Sequence, residues 1–166
     1  MQLKMKRSMV FRSLMALALC WFAVACNDDG GASLRVYVQV SDQLPEAHRK
    51  VIVIPNPPMN ISVNPLSELS EHDLHTATAV KNPTRKQLVL QFDAHGTRAI
   101  ERFTAENRGS LYVLTINTVP VVAAAIRDVI HDGKLVVDVD VPDKELDQIV
   151  KDLNTSAKRA HTLDRL

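Results

Sequence analysis

The sequence predicts an α+β domain, a largely antiparallel sheet with two helices packed on one face. Three observations point there. Short apolar runs of strand length recur along the body, each closed by a turn signal. Two longer segments repeat apolar residues at helical spacing instead, and the order is strands, helix, three strands, helix.

The first strand, LRVYVQV at 34–40, alternates apolar and polar residues, and VIVI at 51–54 is a second, closed by the proline cluster Pro55 to Pro58. TATAVKNPTRKQLVLQF reads as a hairpin around Asn82 to Arg85, with proline at the second turn position as type I geometry favours. Asp93 is a good N-cap for a helix over AHGTRAIERFTAENR, which brings Ile100, Phe103 and Asn107 onto one face. Gly109 then stands where a left-handed C-cap is wanted. SLYVLTI (110–116) and VPVVAAA (119–125) flank Asn117-Thr118 and form a second hairpin, with a poorer two-residue turn than Asn-Gly. HDGK (131–134) turns the chain into LVVDVDV. The last helix repeats Leu146, Ile149, Val150 and Leu153, with Pro142 and Asp143 at its start and Lys158 and Arg159 at its finish, as the macrodipole prefers. Period places Phe103, Leu114, Leu146 and Ile149 in the core.

At 166 residues the chain holds one domain's worth of core, and with 4% aromatic residues that core must rest on Val, Ile and Leu. The start differs from the rest. Lys4, Lys6, Arg7 and Arg12 precede an unbroken apolar run from Leu14 to Ala25, which reads as a secretion signal. That run is far shorter than the ~20 residues of a spanning helix. The segment AVAC, Ala23 to Cys26, resembles the lipobox of bacterial lipoproteins. The resemblance implies cleavage between Ala25 and Cys26 and acylation of Cys26, with alanine where leucine is usual at the first box position. Acylation would also remove a lone thiol, since Cys20 leaves with the signal and no cysteine remains to pair with Cys26.

The expected organisation is therefore a signal at 1–25, a lipidated cysteine and flexible tether at 26–33, one domain at 34–157 and a tail at 158–166. The tether NDDGGAS is polar and without periodicity, so it would hold the domain close to the bilayer. The signal carries four basic residues and no acidic one, which leaves 16 basic against 19 acidic residues and a mature charge near −3. That balance argues against nucleic acid as a partner and against docking to anionic lipid by charge alone. Asn27 follows the cysteine, in place of the aspartate that retains many lipoproteins of enteric bacteria in the inner membrane, so the outer membrane is the expected location, facing the periplasm.

LSEHDLHTATAV, LVLQFDAHGTRAIERFTAENRGSLYVLTIN, VVAAAIRDVIHDGKLVV and KELDQIVKDLN together resemble, in order and spacing, the head subdomain of the first periplasmic domain of SecD, a protein-export accessory. The shared features are Asp73-Leu74 before the hairpin, Gly96 opening the first helix, and Phe103 followed by Thr104, Glu106, Asn107 and Gly109, over about residues 66–154. INTVPVVAAA departs from the family, which has Asp-Gly and then Ser-Ala-Pro at these places. SecD also carries transmembrane helices, whereas this chain reads as the head alone on a lipid. The resemblance implies contact with exported polypeptide.

Candidates for chemistry are few. His72 and His75 lie three apart with Asp73 between them, and His131-Asp132 lies elsewhere. A zinc site needs three or four such ligands to converge. Asp73-Leu74 reads as a turn whose carboxylate caps amides and whose leucine enters the core. Ser110, His95 and Asp93 make a poor triad, because there is no GxSxG elbow and Asp93 is wanted as a cap. Asp138 and Asp140 share one face of a strand, which would suit a calcium site or merely water, and solvent is the expectation because outward charges are common on half-buried strands. The expectation is a noncatalytic, membrane-tethered binding or adaptor domain without metal or cofactor. The alternatives are a metal-binding or enzymatic envelope protein using His72, His75 and His131, and a structural subunit of an envelope complex.

Overall fold

The computed structural model describes residues 31–55 and 57–163. Cys20, Ala25, Cys26 and residues 27–30 of the expected tether lie outside the described residues. The strands are β1 (Leu34–Val38), β2 (Lys50–Pro55), β3 (Pro58–Val63), β4 (Leu69–Ser70), β5 (Leu74–Asn82), β6 (Arg85–Phe92), β7 (Leu111–Ile116), β8 (Val119–Ala125) and β9 (Lys134–Asp138). The helices are α1 (Ala94–Glu106) and α2 (Asp143–Leu163), with single 3-10 turns at Glu46–His48 and Glu71–Asp73. The class is α+β and every strand pairing is antiparallel, but the sheet is divided in three: β4-β1-β7-β8, β2-β3 and β5-β6-β9.

The division explains the apolar density of β7. On one side of the four-stranded sheet, Leu34, Val36, Val38, Leu114 and Ile116 meet Ile100 and Phe103 of α1, Leu146 and Leu153 of α2, and Leu88 and Leu90 of β6. On the other side Tyr37 and Val113 meet Ile52, Ile54, Ile61 and Val63 of the β2–β3 hairpin. A strand covered on both faces has no use for polar alternation. Phe103, Leu114 and Leu146 are fully buried as their spacing predicts, whereas Ile149 is only partly buried.

Proline marks the turn between β2 and β3, where Pro55 pairs with Pro58 across the loop. β3 was not legible in the sequence, because Pro58, Met59, Asn60 and Ser62 hide the alternation that Ile61 and Val63 carry. Pro58 is tolerated as the first residue of a strand, where no ladder N–H is needed.

α1 starts as its sequence demands. Asp93 accepts a hydrogen bond from the Gly96 N–H at 2.8 Å, and the Asp93 N–H donates to the Asp73 carbonyl at 2.9 Å. Asp73 itself accepts from the Ser70 N–H at 2.8 Å, closing a capping box, while Leu74 is fully buried. Gly96 sits here because the backbones touch: a Cβ on it would lie 2.8 Å from the Asp73 carbonyl oxygen. Gly109 has φ +83°, the left-handed conformation wanted past the helix end. At the β7–β8 turn Asn117 and Thr118 have φ of 50° and 67°, so the two-residue hairpin forms with both turn residues left-handed and without a glycine.

α2 covers β5 and runs on past residue 157, the expected domain limit, to Leu163. Ala157 and Ala160 are both buried and continue the apolar stripe of Leu146 and Leu153 at helical spacing. Asn154 joins helix to sheet, its Oδ1 accepting from the Ala77 N–H at 2.8 Å and its Nδ2 donating to the Ala77 carbonyl at 2.9 Å. The last residues of the expected tether also meet the body. Ala32 is buried, and Ser33 exchanges hydrogen bonds with Asn117, Ser33 N–H to Oδ1 and Asn117 N–H to Ser33 O, both 2.9 Å.

Candidate functional site

The three histidines of the metal reading stand apart. His72 is 3.8 Å from Glu71, His131 is 2.8 Å from Glu101 of α1, and His75 falls at the irregularity where the β5–β6 register shifts. Among the described residues no group of three or more His, Cys, Asp or Glu is placed to hold a metal ion. Nor do Ser110, His95 and Asp93 assemble: His95 Nδ1 is 2.7 Å from Asp73, Asp93 caps α1, and the backbone of Ser110 bonds to Asn107 and Ile126. Asp138 pairs with the Gln87 side chain at 2.9 Å.

Glu71, like Asp73, is a carboxylate built into the fold. Burial pushes its carboxyl up, but hydrogen bonds from the Arg35 guanidinium and from the backbone N–H groups of Glu71 and Leu34 outweigh that and hold it below the usual carboxylate range. This pair ties β1 to the 3-10 turn before β5. The carboxyl of Asp143, an exposed residue, is lowered by its hydrogen bond from Lys86 at 2.8 Å.

The concavity suited to a ligand was not legible in the sequence. A groove of about 420 Å³ opens between the tip of the β2–β3 hairpin, the β7–β8 hairpin and the start of α2. Ile54, Ile116, Val121, Val141 and Ile149 give it apolar walls, and Asn117, Asp140 and Glu145 a polar rim. Two local features shape it. The register of β7 with β8 slips between Leu114 and Thr115, so that Leu114 pairs with Val122, Thr115 with Pro120, and Val121 is the extra residue that the bulge re-aims. Pro120 withholds a backbone N–H from an edge strand, and Val119 beside it is 62% exposed. Ile149 is only partly buried because it serves this wall. A second concavity of about 440 Å³ surrounds the β5–β6 turn, where Arg85 lies 3.8 Å from Asp138 and Lys86 pairs with Asp143 outside it.

With the three antiparallel sheets and both helices in place, the fold can be compared with known ones. The first is a structure of SecDF, described as a membrane component that enhances protein export. It has TM-score 0.59 and 22% identity over 75% of this chain and 63% of that one. A second, SecDF in a super-membrane-facing form, has TM-score 0.60 and 20% identity over 75% of this chain and 19% of that one. The fold is SecD-like. No protein-family model matches the sequence, and no curated protein matches it. The chain spans less than two thirds of either SecDF chain, so the SecD-like body is one part of what those proteins contain. Among the described residues no helix is long and apolar enough to cross a membrane.

Proposed function

We propose that this chain is a noncatalytic lipoprotein, acylated on Cys26 and facing the periplasm from the outer membrane, whose SecD-like domain binds extended apolar stretches of exported polypeptide. The observation that carries the binding step is the groove. Its walls are aliphatic, and its rim offers Asn117, Asp140 and Glu145. An apolar trough with a few polar groups at its edge suits a side chain or two of an unfolded segment. SecDF, which the fold resembles, is described as enhancing protein export, and that agrees with a polypeptide ligand.

The purified protein should bind a permanently unfolded, apolar model polypeptide. Val119→Asp, at an exposed rim position that leaves the core alone, should weaken that binding at least about tenfold by placing a charge where apolar surface is desolvated. Arg108→Asp, in the turn just past α1, should leave it unchanged. Equal affinity for all three proteins would exclude the groove. Replacing His72, His75 and His131 together by Gln should leave binding and fold intact, and a loss of bound metal or of an activity in that variant would favour the metal-binding or enzymatic alternative. Co-purification at fixed stoichiometry from envelope extracts would favour a structural subunit, and density fractionation of membranes tests the outer-membrane placement.

A further inference from the structure

The path by which the chain enters the body marks one end of the molecule. The Ala32 N–H lies 3.4 Å from the Asp152 carbonyl oxygen. One residue earlier, a side chain on Gly31 would meet Ser156 Oγ at 2.8 Å and Arg159 Nη1 at 3.5 Å. Moving backwards along the chain therefore moves forwards along α2. Cys26 precedes Gly31 by five residues, a reach of at most about 18 Å, whereas the 21 residues of α2 extend about 30 Å. An anchor at Cys26 thus holds the membrane near the last turns of α2, away from Asp143.

Those turns carry the chemistry of a phospholipid surface. Lys158 and Arg159 are exposed and, among the described residues, stand in no ion pair, and Leu163 beside them is 68% exposed. With Thr162 they border a shallow, almost wholly apolar concavity of about 390 Å³. The acidic side chains Asp143, Glu145 and Asp147 gather on the opposite end of the helix. They stand about two or more screening lengths from Arg159 along the axis, whereas Asp152, whose carboxylate accepts from Gln148 at 2.7 Å, is the nearer acidic residue of the helix, about 10 Å away.

We infer that the C-terminal end of α2 is a membrane-facing surface. Lys158 and Arg159 lie at the phosphates of anionic lipid and Leu163 at the boundary of headgroup and acyl chain, so the anchored domain stands in one orientation. Acyl chains supply the attachment and this patch supplies the direction. The inference rests on acylation of Cys26.

The test uses the full mature lipoprotein in vesicles. No cysteine follows Cys26, so Thr162→Cys and Thr84→Cys each give a single labelling site, one beside the patch and one on the β5–β6 turn at the far end of α2. On vesicles containing phosphatidylglycerol and a headgroup quencher, the label at 162 should be quenched several-fold more than the label at 84. Adding Lys158→Glu and Arg159→Glu should erase that difference. Equal quenching at both positions overturns the orientation, and a contrast that survives the charge reversal overturns the part given to Lys158 and Arg159; in either case acyl chains found on Cys26 by mass spectrometry would leave the anchor standing. A mature N-terminus without acyl chains overturns both.

Discussion

Replacing Gly96 by alanine sets two effects of opposite sign against each other, and the contacts around it decide between them. In an isolated helix the change stabilises by about 1 kcal/mol, because alanine has the higher propensity. Here the new Cβ would lie 2.8 Å from the Asp73 carbonyl oxygen and 2.9 Å from both Asp73 Cβ and Phe92 Cβ. Carbon atoms pack best at about 3.5 to 4.0 Å, so each neighbour must retreat by more than half an ångström. None is the free end of a flexible side chain. The Asp73 carboxylate is held by Ser70 and His95, its carbonyl accepts from Asp93, and Phe92 is buried in β6. Overpacking a rigid site costs about 1 to 3 kcal/mol, and three immobile contacts put this one near the top of that range. The net expectation is a loss of about 2 kcal/mol, a fall in Tm of about 8 °C for a body of this size. Thermal unfolding followed by circular dichroism measures it. Ala105→Gly, on the exposed face of the same helix, serves as control and should cost only the propensity term of about 1 kcal/mol. A Gly96→Ala protein as stable as the parent, or more so, would refute the claim that α1 and the 3-10 turn meet backbone to backbone.

Phe103→Ala should cost about 3 to 5 kcal/mol in urea unfolding, since the ring is 1% exposed at the junction of α1 and the main core; an unchanged midpoint would mean that α1 faces another way. Glu71 makes stability depend on pH. Its folded-state pKa is lowered from 4.5, so its contribution is complete above that value and is lost as the pH falls through the folded value. Glu71→Gln should therefore be less stable than the parent at pH 7, with the gap closing below about pH 4.5, and a gap independent of pH would show that the Arg35 interaction is not what lowers the group.

Local signals account for what the sequence disclosed. Asp93, Gly109 and the three- and four-residue spacing of Ile100 and Phe103 set the limits of α1 within a short window, and the hairpin around Pro83 is equally local. β4 is too short to carry a pattern, and β3 shows only Ile61 and Val63 among polar residues and prolines. The groove could not be read at all. Its walls come from residues as distant as Ile54, Ile116 and Ile149, and it exists because a bulge re-aims Val121 and a hairpin folds over the sheet. Nor does the spacing of His72, His75 and His131 say where they go: His72 lies beside Glu71, His131 beside Glu101, and His75 at the irregularity of the β5–β6 register.

The amide of Asn154 has a consequence for how the chain reaches this fold. By pairing with both backbone groups of Ala77 it imitates a neighbouring strand and seals one border of the β5-β6-β9 sheet. The two residues are 77 positions apart, so this border stays unsealed until nearly all of the body has been delivered. Whatever route delivers the chain, it thereby keeps its own closing latch for the end of folding. Until then the exposed ladder of β5 can recruit a strand from a neighbouring chain, and assistance would matter most in that interval.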